Sequence, residues 1–161
     1  MVFLLVFGGC APMQTVVKIN GMQMAPETEL QNHPATKLSF TYSYYRVFKQ
    51  KIKARGHEEE IRDTEPLKTT GILKLPKNTE AIGVMIYVDN PEMRQYKIVV
   101  TETRKGEEKE TVIYQGIRPD NLIRYIFPAR DLTDIGFAAK IILQDRNDVM
   151  PLKGVTVTKQ N

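Results

Sequence analysis

Residues 37–48 read KLSFTYSYYRVF, and this stretch decides the fold class. From Leu38 to Tyr44, apolar or aromatic side chains alternate with small hydroxyl side chains, which is the two-residue period of a β-strand. The alternation slips by one residue between Tyr44 and Tyr45 and then continues through Val47, so we expect a bulge or bend there. The stretch therefore predicts a long strand with one buried face.

Short β-prone runs with turn signals between them recur on both sides of this strand, at roughly ten-residue spacing. They cover residues 15–19, 69–75, 81–88, 95–103, 110–115, 121–127, 136–144 and 154–158. Residues 81–88 are nearly all apolar, which is typical of a central strand buried on both faces. We expect a turn at residues 20–21, a loop over 22–34 with a helical turn near 27–30, and a second helical turn at 131–134.

About nine short strands without a long 3.6-residue apolar period predict an all-β sandwich or barrel rather than βαβ units. We expect an antiparallel β-sandwich, immunoglobulin-like or transthyretin-like, with at most one or two helical turns. The 161 residues fit one domain by length and carry a formal net charge of +4. Basic and acidic residues are interleaved, so we expect no nucleic-acid partner; an ordinary mixed surface is favoured over attraction to anionic headgroups or a polyanion.

Residues 49–65 are highly charged, with a basic arm followed by an acidic arm. Gly56 and His57 lie between the arms, and a hairpin at the glycine would place opposite charges across from each other. A short helix is the alternative, because Lys, Glu, Arg and Ala are good helix formers. Either element would project into solvent.

The N-terminus holds the only cysteine, Cys10, after an apolar run from Met1 to Phe7 and the small residues Gly8 and Gly9. This pattern resembles the lipobox of bacterial lipoproteins, although it lacks a basic n-region and its apolar run is short. A true start upstream of Met1 would explain both departures. The alternative is a short apolar strand or tail with a buried thiol.

The lipoprotein resemblance implies cleavage between Gly9 and Cys10 and lipid attachment to the Cys10 thiol. Residues 1–9 would then be a signal-peptide remnant, residues 10–14 a lipidated tether, and residues 15–161 a single β-sandwich domain. Ala11 is not the aspartate that favours inner-membrane retention, so the resemblance implies a periplasm-facing anchor in the outer membrane. The apolar run is too short for a transmembrane helix, which needs about 20 residues.

Catalytic motifs are missing from the sequence, and we expect neither an enzyme nor a cofactor. His33 and His57 have no partner at metal-ligand spacing, so we interpret both as solvated turn histidines and expect no metal site. The only serines, Ser39 and Ser43, lie on the polar face of the first strand rather than in a nucleophile elbow.

Two readings of function remain open. The first is an interaction protein of a cell-envelope or secretion assembly, comparable at the level of fold with the small transthyretin-like lipoproteins of secretion machines. Its candidate contact residues lie in two charged segments: Lys49, Lys51, Lys53, Arg55, Glu58, Glu59 and Glu60 in the first, Arg104 and Lys105 in the second. The second reading is a binding module for a small ligand, glycan or peptide on an aromatic face containing Tyr42, Tyr44 and Tyr45.

Overall fold

The computed structural model describes residues 18–19, 22–23, 30–68 and 70–160, and within these ranges the chain forms twelve β-strands. The strands are β1 (Lys18–Ile19), β2 (Met22–Gln23), β3 (Gln31–Asn32), β4 (Ser39–Ala54), β5 (His57–Leu67), β6 (Ile72–Leu75), β7 (Thr79–Asp89), β8 (Tyr96–Arg104), β9 (Glu107–Gly116), β10 (Asp120–Ile126), β11 (Ile135–Leu143) and β12 (Asp148–Lys159). None of the described segments is a helix long and apolar enough to cross a bilayer.

Two five-stranded sheets pack face to face, which confirms the all-β sandwich. The first sheet has the order β10-β7-β4, and both β3 and β5 pair with the remaining side of β4. The second has the order β6-β12-β11-β8-β9 and is antiparallel except for the parallel pair β6–β12. The short strands β1 and β2 pair with each other, and β2 lies beside β5.

Alternating side chains fill the space between the sheets. In β11 every second residue from Ile135 to Leu143 is buried, as the two-residue period requires. The strand β7 is central in its sheet and is buried over most of its length, as the apolar run at 81–88 predicted. Tyr44 and Ile86 are fully buried on the inner face of the first sheet. Removal of this apolar surface from water drives the folding.

The prediction of a bulge between Tyr44 and Tyr45 is wrong. The two residues pair in unbroken register with Val84 and Gly83, and the pattern slips because both faces of β4 are apolar here. A second cluster of Tyr45, Val47 and Met85 lies on the outer face, and the register shift falls at Val47–Phe48 instead.

Several expected loops also differ. Residues 131–134 contain a bend at 133–134 rather than a helical turn, and the Asp131 carboxylate accepts a hydrogen bond from the Thr133 amide at 3.0 Å. The strand β12 begins at Asp148, six residues earlier than the pattern at 154–158 indicated, and both β2 and β3 lie in the segment 22–34 that was expected to be a loop. The lipobox, the tether, the turn at 20–21 and most of the helical turn near 27–30 lie outside the described residues.

Candidate interaction surface

The charged segment at 49–65 is a β-hairpin, as the hairpin reading predicted. Within the described chain, β4 pairs with β7 only as far as Phe48, whereas its pairing with β5 continues to Ala54 and His57. The part of this hairpin beyond Phe48, residues 49–62, is called the ribbon below. The six residues of β4 in the ribbon reach about 20 Å past the sheet at ~3.3 Å per residue.

The ribbon turns at Arg55 and Gly56, whose φ angles are +50° and +81°. Two successive positive φ angles define a type I′ turn, which matches the right-handed twist of the flanking strands. The glycine at the second position adopts this conformation without a steric penalty. The ribbon is therefore closed by the tightest hairpin connection that the chain can form.

One face of the ribbon is entirely charged. The cross-strand partners on it are Lys49 with Arg62, Lys51 with Glu60, and Lys53 with Glu58. Glu59 lies on the opposite face, across from Ile52, and Arg55 occupies the turn. The acidic and basic arms thus face each other as the hairpin predicts, except that Lys49 faces Arg62, and only part of the predicted contact set shares one face.

The ion pairs do not follow the direct cross-strand partners. The Lys49 ammonium lies 3.0 Å from a Glu60 carboxylate oxygen and 3.2 Å from one of Glu80, and Arg62 lies 2.9 Å from Glu80. Hydrogen bonds to Glu60 and Glu80 raise the pKa of Lys49. Lys51 and Lys53 form no ion pair with any other described residue, so their charges remain available.

Glu80 reaches these cations because of a β-bulge. Val47 and Phe48 of β4 face Ala81 and Thr79 of β7, which leaves Glu80 as the extra residue. Its desolvation, the largest single effect, raises its pKa, but Lys49 and Arg62 together lower the pKa below the usual range. The carboxylate therefore stays ionised between two cations.

Arg46 and Asn78 hold the root of the ribbon, which is the point at Phe48 and Lys49 where β4 leaves the sandwich. The Asn78 amide donates to the Lys49 carbonyl at 2.9 Å, and its oxygen accepts from the Arg46 guanidinium at 3.2 Å. Arg46 is buried, donates to Glu65, and lies 4.1 Å from the centroid of the Phe48 ring. This network fixes the loop before β7 against β4.

An open groove of about 560 Å³ lies at this root. Its charged lining consists of four lysines and two glutamates: Lys49, Lys51, Lys77, Lys159, Glu60 and Glu80. Lys77, Glu80 and Lys159 were not among the predicted contact residues, because strand pairing between distant segments brings them together and no local pattern marks them.

The second charged segment is the β8–β9 hairpin. Its turn residues Lys105 and Gly106 have φ angles of +50° and +80°, which is again a type I′ turn. Arg104 donates to the Asp131 carboxylate at 3.1 Å and to the Thr133 carbonyl at 3.2 Å, whereas Lys105 is exposed. Arg104 therefore has an intramolecular role.

The register places both charged hairpins at one end of the sandwich. Arg104 pairs with Ile135, and Ile135 pairs with Val157, two residues before Lys159 of the groove. The chain thus brings the two predicted contact segments together at the end that carries the groove.

The predicted aromatic platform is not an exposed surface. Tyr44 is fully buried in the core, and burial raises its pKa above the ordinary range. Tyr42 is half-buried on the same inner face, where its hydroxyl accepts a hydrogen bond from the Lys153 amide at 2.9 Å. Tyr45 points to the opposite face and is only 4% exposed. All three rings therefore pack within the protein.

His33 is buried, which contradicts its interpretation as a solvated turn histidine. Its Nδ1 accepts from the Ala35 amide at 3.2 Å, so Nε2 donates to the Asp148 carboxylate 3.0 Å away. Hydrogen bonds from Arg146 and then from His33 lower the pKa of Asp148. His57 is exposed at the tip of the ribbon, as predicted.

Among the described residues, no three His, Cys, Asp or Glu side chains form a group that could hold a metal ion. Gly9 and Cys10, the predicted cleavage and lipidation residues, lie outside the described ranges. A scan against protein-family models finds no match to the chain, and a search of curated proteins also finds none.

Proposed function

We propose that this chain is a lipid-anchored, non-catalytic adapter of the bacterial cell envelope that docks on an envelope or secretion-assembly protein through the ribbon. The observation that carries the proposal is the projection of a two-stranded, charged ribbon about 20 Å beyond the sandwich. The outward charges of Lys51 and Lys53 are not neutralised by described residues, so a partner can meet them.

Physical chemistry supports an interaction role for such an element. An isolated two-stranded hairpin is only marginally stable in water, so its rigidity depends on the fastening at Arg46 and Asn78. Charged groups on a projecting element steer encounters and select partners more than they add affinity. The ribbon is therefore suited to choose a partner while the sandwich supplies stability.

The anchor part of the proposal is supported by the resemblance of residues 4–10 to a lipobox. Two or more acyl chains hold a protein stably on a bilayer, whereas one chain does so marginally. We propose the outer membrane, with the domain facing the periplasm. Cys10→Ser should release the protein from the membrane fraction and remove its acyl label. Membrane retention of that variant, with no acyl label on the wild type, would remove the anchor from the proposal.

The docking part is tested by charge reversal in the ribbon. Lys51→Glu/Lys53→Glu should leave the sandwich folded, since both side chains are exposed, and should lose the partner captured by in-cell crosslinking and mass spectrometry. Because each new carboxylate would face Glu60 or Glu58 across the ribbon, Lys51→Gln/Lys53→Gln is tested beside it and should weaken capture without like-charge repulsion. Lys49 is left unchanged because its ion pairs hold the root. The control Lys37→Glu/Lys153→Glu makes the same charge change at exposed sites away from the ribbon. Equal capture by both variants would reject the ribbon as the docking surface.

A further inference from the structure

We propose that the groove at the root of the ribbon binds the phosphate groups of anionic lipid headgroups and holds this end of the sandwich against the membrane. The inference depends on the anchor part of the proposed function, because the anchor is what brings the groove to a bilayer. It adds a second membrane contact that the lipobox resemblance does not imply.

The groove carries an excess of positive charge. Four lysines line it against two glutamates. Both glutamates are already occupied: Glu60 by Lys49, and Glu80 by Lys49 and Arg62. Lys51, Lys77 and Lys159 have no ion-pair partner in the described part of the chain. Three uncompensated ammonium groups around one concave surface create a positive field that attracts phosphate.

Rigid placement of these lysines is the second step. Lys51 lies in β4, whereas Lys77 lies in a loop held by the Asn78–Lys49 hydrogen bond and by the Thr79 amide, which donates to the Pro76 carbonyl at 3.0 Å. Lys159 ends β12, where the next amide, of Gln160, donates to the Leu75 carbonyl at 3.1 Å. The ammonium groups thus converge from three fixed backbone segments.

Tether length favours a lipid over a soluble anion. Seven residues lie between Cys10 and Lys18 of β1, and the eight Cα–Cα steps that join the two span at most about 29 Å. The partner of β1, strand β2, lies beside β5, which contributes Glu60 to the groove. A lipid on Cys10 would therefore keep the edge of the sheet that carries the groove close to the headgroup layer.

The test uses the full chain with Cys10→Ser, so that binding reports the groove rather than acyl chains. Sedimentation with phosphatidylglycerol–phosphatidylcholine vesicles should show binding that phosphatidylcholine vesicles alone do not support. Adding Lys77→Gln/Lys159→Gln should weaken it about 25-fold, at ~5-fold per lysine near an anionic surface. The control Lys37→Gln/Lys153→Gln should change it less than ~2-fold.

Three results would overturn the inference: no preference for anionic vesicles, equal loss in both lysine pairs, or amide shifts at the groove with inorganic phosphate but no vesicle binding. The last result would identify a site for free phosphate rather than a headgroup. The docking proposal and this inference can fail independently of each other. A chain that binds anionic vesicles through the groove but captures no protein partner keeps this inference, whereas one that captures its partner and ignores the vesicles loses it.

Discussion

The side-chain amide of Asn78 donates a hydrogen bond to the backbone carbonyl of Lys49, 2.9 Å away, at the point where the ribbon leaves the sandwich. The bond is reinforced by the Lys49 amide, which donates to the Asn78 carbonyl at 3.3 Å. One residue of a loop thus takes the place of the strand that β4 loses after Phe48. The ribbon and the groove depend on the same contact.

Asn78→Ala removes two side-chain hydrogen bonds, to the Lys49 carbonyl and from Arg46, and should therefore lower the free energy of unfolding by about 1–3 kcal/mol, at about 0.5–1.5 kcal/mol for each bond. It should also speed amide hydrogen exchange in the ribbon, because the Lys49 carbonyl at the start of the ribbon loses the Asn78 amide as its partner. Urea unfolding and exchange mass spectrometry measure the two effects. Gln115→Ala, at an exposed site whose side chain bonds to no described residue, is the control, and similar behaviour of the two variants would contradict the fastening role.

The ring of Tyr45 leaves no room for a side chain at position 83, which is occupied by Gly83. A Cβ at position 83 would lie 2.3 Å from Tyr45 Cζ, and that ring is held in the outer cluster with Met85. Gly83→Ala should therefore destabilise the fold by about 1–3 kcal/mol, as overpacking does. At Gly136, another glycine within a strand, the nearest atom would be 3.6 Å from the added Cβ. Gly136→Ala should be neutral or slightly stabilising, and thermal unfolding of both variants checks the contrast.

Asp148 makes stability depend on acid pH. Its pKa is lowered in the folded protein, mainly by Arg146 and then by His33, so ionised Asp148 stabilises the fold above its unfolded pKa of about 3.9. That contribution is lost as pH falls through the lower, folded pKa. Asp148→Asn should be less stable than wild type near neutral pH, and the difference should shrink below about pH 4. Urea unfolding across this range measures it, and a constant difference would contradict the linkage.

Local patterns predicted the strands well because alternation and turn residues are encoded in neighbouring positions. The run at 81–88 and the glycine at position 56 are examples that the structure confirms. The groove was not predictable in the same way, since Lys77 and Lys159 approach through pairing of β6 with β12. The buried His33 bonds to Asp148, which lies 115 residues away, so no local sequence pattern could predict this contact.

The two type I′ turns should respond differently to the same substitution. Gly56 and Gly106 have φ angles of +81° and +80°, and an added Cβ would meet no atom within 4 Å at either site. Alanine should therefore strain both turns by a similar amount, about 1–2 kcal/mol for a left-handed residue. Strand β8 also pairs with β11 up to Arg104, whereas among the described strands the arms of the ribbon pair only with each other beyond Phe48.

Gly106→Ala should accordingly lower the free energy of global unfolding, because its turn is part of the cooperative core. Gly56→Ala should leave that free energy nearly unchanged and instead increase hydrogen exchange at the Ile52 and Glu59 amides, which bond across the ribbon, because the ribbon can open alone. Arg55→Asn, added to Gly56→Ala, should slow this faster exchange again in part, since asparagine tolerates the φ of +50° better than arginine does. Urea unfolding combined with amide exchange separates the two cases. If Gly56→Ala lowered global stability as much as Gly106→Ala, the ribbon would unfold together with the sandwich.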